Sequence, residues 1–168
     1  MKKNIFLALF FGIIASVSAQ TEKPIQEVQA AMIYNFMKYI QWPPDEETEF
    51  VVGVLGEDQV FNILKNYEGK PRGAKKYVIK KLASPSEAAT CSVVYIGRNK
   101  SKDFDNVRSS INGKSVLTIT DSSNLGAKGS CINFKVVDER LKFEINQSSI
   151  NNNNLKVASQ LTTMAILI

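Results

Sequence analysis

The sequence predicts a single α/β domain: a mostly parallel central sheet with helices on both faces, followed by a C-terminal antiparallel hairpin and a final helix. Three observations predict it. Short continuous apolar runs, such as Phe50-Val-Val-Gly-Val-Leu55, suit strands buried on both faces of a parallel sheet. These runs alternate with segments of helical periodicity, the order that builds strand–helix–strand units. The pattern then switches to alternation in Cys131–Val137 and Leu141–Ile145, with Asp138-Glu139-Arg140 between them, which marks a hairpin.

Taken in order, residues 1–19 have the layout of a secretory signal peptide. Lys2 and Lys3 precede an apolar run from Ile5 to Val17, and Val17-Ser18-Ala19 supplies the small residues of a cleavage site. The run is shorter than the about 20 residues a spanning helix needs. Gln20 stands where a lipoprotein would carry its lipidated cysteine. The domain proper is then 20–168, an ordinary length for one hydrophobic core.

Ile25, Val28, Met32, Phe36 and Tyr39 recur at helical steps, with Ile33, Met37 and Ile40 as a neighbouring stripe, so 25–41 is expected to be a helix buried on more than one side. Pro24 suits its first turn, and Pro43 stops it. Phe50–Leu55 is the first strand. Glu57 and Asp58 open a helix whose apolar face is Val60, Phe61, Ile63 and Leu64. Strands are expected at 77–82, 91–96 and 115–120, with a helix at 101–111. After the hairpin, Asn153 or Asn154 is expected to cap a final helix over 155–165, with the C-terminal Ala165-Ile-Leu-Ile168 closing the core.

Composition narrows the chemistry. The chain has no histidine, which excludes histidine-based triads, histidine metal ligands and the usual pH switch. Removing Lys2 and Lys3 with the leader takes the formal charge from +5 to +3, too little to imply nucleic acid. No phosphate-binding glycine loop and no nucleophile elbow is present. No cofactor and no metal site is expected. Cys91 and Cys131 leave two alternatives: a disulfide, which would contribute about 3–4 kcal/mol, or two buried free thiols.

Candidate sites fall in two groups. At the carboxyl ends of the strands, where open α/β sheets bind ligands, stand Glu57, Asp58, Arg98 and Asp121. Asp121 also begins Asp-Ser-Ser-Asn, where its side chain would hold a turn. On the first helix, Tyr34, Lys38 and Gln41 share a face and Trp42 sits at the exit, a rim suited to protein contact. Glu144, Asn146 and Gln160 either join that rim or form an internal hydrogen-bond set.

Ala31-Met-Ile-Tyr-Asn-Phe-Met-Lys-Tyr-Ile-Gln-Trp-Pro43, Val52–Asp58, Cys91–Ile96, Ser115–Asp121, Leu141–Asn146 and Leu155–Leu161 occur in that order. Together they resemble the YfiR-like family of bacterial periplasmic proteins. The resemblance implies a non-catalytic α/β domain without cofactors. It implies a regulator that binds the periplasmic part of an inner-membrane signalling protein, a diguanylate cyclase or a sensor kinase, and restrains it. For a cyclase, the consequence would be lower cyclic-di-GMP output and less biofilm. A homodimer is compatible with that role. The chain departs from the family pattern in its Asn151–Asn154 run and in having only two cysteines. The alternative is a periplasmic small-ligand binder using a pocket near Glu57, Asp58 and Asp121.

Overall fold

The computed structural model describes residues 24–168; the expected signal peptide lies outside the described residues. Helix α1 (Ile25–Tyr39) is followed by β1 (Ile40–Gln41), β2 (Glu49–Leu55), α2 (Asp58–Leu64), β3 (Pro71–Arg72), β4 (Lys75–Leu82) and β5 (Val93–Ile96). Then come α3 (Phe104–Ser110), β6 (Leu117–Thr120), β7 (Ile132–Val137), β8 (Arg140–Ile145), α4 (Gln147–Asn152), β9 (Lys156–Val157), α5 (Ser159–Thr162) and β10 (Ile166–Leu167). Eight strands form the main sheet in the order β10-β8-β7-β6-β5-β2-β4-β3. Neighbours from β4 through β2, β5 and β6 to β7 are parallel, and β7 with β8 is the expected antiparallel hairpin.

Successive strand residues point to opposite faces, and the core divides accordingly. Phe50, Val52 and Val54 of β2, with Val93 and Tyr95 of β5, face the cluster that holds α1 and α2. Val51, Leu55, Val94 and Ile96 face the cluster that holds α3 and the 3-10 turn at Pro85–Thr90. Helices therefore cover both faces. Phe36 belongs to the first cluster: its ring lies 4.8 Å from Phe143 and 5.7 Å from Phe134.

The C-terminal expectation is corrected in detail. The final helix is one turn, Ser159–Thr162, rather than 155–165. Lys156-Val157 is extended because it pairs with Ile40-Gln41, and Ala158 N–H donates to Tyr39 O. That pairing also ends α1 at Tyr39. Asn153 and Asn154 do not cap; Asn146 does, its Oδ1 accepting from Ser149 N–H at the start of α4. Ala165-Ile-Leu-Ile168 does not close the core. Ile166-Leu167 forms an edge strand beside β8, and Ile166, Leu167 and Ile168 are exposed.

The possible disulfide is not formed. Cys91 and Cys131 are both free and buried, and they belong to the clusters on opposite faces of the sheet. Gly53 explains the seat of Cys91: a Cβ there would lie 2.8 Å from the Cys91 sulfur and 2.8 Å from Leu82. Burial pushes both thiols above their ordinary pKa, which lowers their reactivity. In protein denatured without reductant, alkylation should label both cysteines by mass. In the native protein neither should react at the rate of a free thiol. One disulfide-linked, unlabelled pair would contradict this.

Candidate functional site

The C-terminal half of α1 presents the aromatic and basic rim. Tyr34 is half-buried and stacks on Tyr67 with ring centres 4.0 Å apart. Lys38 is exposed; its ammonium lies 4.3 Å from the centre of the Tyr34 ring and donates to Asn35 Oδ1. Trp42 is held edge-on to Phe50, and its Nε1–H donates to Ser92 O. Arg72, from the tight β3–β4 turn, covers both rings, 4.9 Å from Trp42 and 4.0 Å from Phe50, and donates to Met37 O. It thereby satisfies a carbonyl at the end of α1 that the helix leaves unpaired. Lys75 pairs with Asp45 in the loop after Trp42. Trp42 stands between two grooves, of about 450 and about 530 Å³. Lys38, Gln41 and Arg72 line the first; Glu47, Glu49 and Lys114 line the second.

Gln160 is exposed on α5, which packs against α1 beside the β1–β9 pair. Glu144 and Asn146 lie elsewhere, at the end of β8, and are engaged internally. Glu144 accepts from Lys135 Nζ at 2.8 Å and Asn133 Nδ2 at 3.0 Å. Burial pushes its pKa up, but those two donors outweigh it and hold the carboxyl below its ordinary value. Asn146 caps α4 and donates to Gly126 O.

The strand-end acids are not brought into one pocket. Strand β2 leads into α2 on one face and β5 leads toward α3 on the other, so the chain reverses direction between them, the usual place for a ligand crevice. Here that crevice is filled. A Cβ on Gly56 would lie 2.2 Å from Asn99 Oδ1, and one on Gly97 would lie 2.7 Å from Glu57 Cβ. Glu57 is half-buried with φ of 45°, and Asp58 is exposed and pairs with Lys81. Asp121 is buried in a network of its own. Its Oδ2 accepts from Gln29 Nε2 at 2.7 Å and Tyr95 OH at 3.4 Å, and its Oδ1 from Arg98 Nε at 3.1 Å. Burial, then the charges of Asp121 and Glu57, push the Tyr95 phenol well above its ordinary pKa.

The sequence matches the YfiR/HmsC-like family over residues 26–166. The chain belongs to the YfiR/HmsC-like family. Among solved structures it is similar to a conserved domain protein from Vibrio cholerae, with a TM-score of 0.60 at 10% identity. That likeness covers 84% of this chain and 59% of the other, so the chain spans less than two thirds of that protein, and the shared property is the fold. Comparison with curated protein sequences gives no match. Among the described residues of this YfiR/HmsC-like chain, no helix is long and apolar enough to cross a membrane, and no group of three or more metal-ligating side chains forms.

Arg72, Gln29 and Asn99 were not predicted as site residues. Arg72 lies in a basic stretch that looks like a solvated loop, and its stacking on Trp42 depends on a turn with no periodic signal. Gln29 sits on the buried stripe of α1, one step after Val28. A polar residue among core positions was the available sign that it had a buried partner.

Proposed function

We propose that this YfiR/HmsC-like protein is a non-catalytic periplasmic regulator. In this reading it docks on the periplasmic part of an inner-membrane signalling protein, a diguanylate cyclase or a sensor kinase, and restrains it. Membership of the family supports the regulatory role. The observation that carries the docking surface is the Tyr34–Lys38–Trp42–Arg72 rim. Its aromatic rings and cations are held in place by stacking and by bonds to backbone carbonyls. Side chains ordered before binding lose less entropy on association, and aromatic and arginine residues dominate interface energies. Gln160 borders this surface, whereas Glu144 and Asn146 support the sheet beneath a different end of the molecule.

A photoreactive residue at Gln41, in the intact cell envelope, is expected to capture one membrane signalling protein. Lys38→Glu is expected to reduce that capture at least tenfold. Its melting temperature should move little, because surface changes of this kind usually stay within about 0.5 kcal/mol. Unchanged capture would remove the docking surface. A collapse in stability would make Lys38 structural.

A further inference from the structure

The rim on α1 carries cations that the fold itself does not neutralise. Among the described residues, no carboxylate pairs with Lys38, Lys70 or Arg72. Each of the three lies over an aromatic ring instead: Lys38 over Tyr34, Lys70 over Tyr67 at 4.9 Å, and Arg72 over Phe50 and Trp42. Because Tyr34 and Tyr67 stack, Lys38 and Lys70 belong to one continuous array of rings and ammonium groups. A ring attracts a cation without cancelling its charge, so all three remain open to an anion.

The groove of about 450 Å³ beside Trp42 concentrates this charge. Lys38, Arg72 and Lys75 are its cations, and Asp45 is its one carboxylate, already paired with Lys75. Arg72 is oriented there by its bond to Met37 O at 3.0 Å and by the two rings it covers.

We propose that the rim receives an acidic segment of a protein partner, with one carboxylate seated in this groove against Arg72. The proposal rests on the docking reading and names the chemistry of what docks. A planar guanidinium held in place, with no carboxylate of its own, suits that contact, and its prior ordering keeps the entropy cost of binding low. The surrounding charge favours a segment over an anionic membrane surface. Glu46 and Glu47 in the loop after Trp42, and Glu49 at the start of β2, are all exposed. Glu47 and Glu49 line the groove on the other side of Trp42. An extended negative plane would meet these acids together with the lysines, whereas a narrow segment along the Lys38 and Arg72 side avoids them.

The probe is a capped, fluorescent decapeptide of alternating glutamate and serine, titrated into the full chain at low ionic strength. The same peptide with glutamine for glutamate is its control. Saturable binding with a Kd of about 0.1 mM is expected, at least tenfold tighter than the control and weakening as salt screens the charges. Arg72→Gln should weaken it at least tenfold. Because that change also removes a bond to α1, Lys38→Glu combined with Lys70→Glu provides a second variant: both side chains are exposed, so the protein stays folded while binding is lost. Vesicles of phosphatidylglycerol should bind no more tightly than vesicles of phosphatidylcholine. In the envelope, the partner peptide crosslinked at Gln41 should carry a net negative charge. Capture of a neutral or basic peptide would overturn the assignment and leave the docking reading standing. Absence of capture, with charge-dependent binding of the decapeptide, would count against the docking reading alone. Equal affinity for the two peptides, indifference to the charge reversals, or a preference for the anionic vesicles would also overturn the assignment.

Discussion

Replacing Asp121 by alanine should lower the melting temperature by about 10 °C, although the site looks at first like a surface ion pair. Arg98 is too exposed for its charge to count for much: its side chain is 72% exposed, and exposed pairs contribute about 0–1 kcal/mol. The cost comes from the other two donors. Gln29 is 3% exposed and Tyr95 is 0% exposed. Each would lose its acceptor where water cannot replace it, at about 1–3 kcal/mol apiece. For a domain of this length, 1 kcal/mol corresponds to about 2–4 °C. Thermal unfolding followed by circular dichroism checks the figure. A shift under about 2 °C would mean that the network does not hold α1 to the sheet. Arg98→Gln, by contrast, should cost little in stability, so the two variants separate the buried part of the network from the exposed part.

Phe36→Ala should be the most damaging single truncation in α1, at about 3–5 kcal/mol. Phe36 is 2% exposed and packs between the rings of the β7–β8 hairpin. Two terms add: the lost transfer of a large ring from water, and the cavity left between Phe134 and Phe143, which the paired strands cannot close. Denaturant unfolding should show a lower midpoint with an unchanged slope. A loss below about 1 kcal/mol would mean that the helix re-seats on the hairpin. Lys38→Glu, two residues along and exposed, is the natural control.

Most of the architecture was legible because it is carried by periodicity. The apolar runs at 50–55 and 91–96 and the alternation at 131–137 and 141–145 report burial on two faces or one, and β2, β5, β7 and β8 lie within one or two residues of those patterns. What failed has no period. Ile40-Gln41, Lys156-Val157 and Ile166-Leu167 are two-residue strands whose geometry comes from a partner distant in the chain. Leu155, Val157 and Leu161 suited a helix, and the pairing with Ile40-Gln41 overrode that local preference. Asn146 could have been found, since an Asn directly after a strand is a preferred helix N-cap, but the longer asparagine run points instead to Asn153 or Asn154. At the candidate sites, the Tyr34–Lys38 contact on α1 agrees with helical spacing, whereas Gln41, expected on the same helix face, lies in β1. The filled crevice has no such signal, because it depends on the Asn99 side chain meeting Gly56 and Gly97 across two loops.

The bond from Gln29 to Asp121 spans 92 positions, and Phe36 rests on rings further along still. Synthesis runs from the N-terminus, so α1 emerges early while its seat does not yet exist. Until β6 and the β7–β8 hairpin have followed, Ile33, Phe36 and Met37 have nothing to cover them, and an isolated helix of this length is marginal in water. Folding must therefore wait for most of the chain, and closing so long a loop is slow. Throughout that wait, the apolar face of the segment that later bears the rim stays uncovered and open to aggregation and proteolysis.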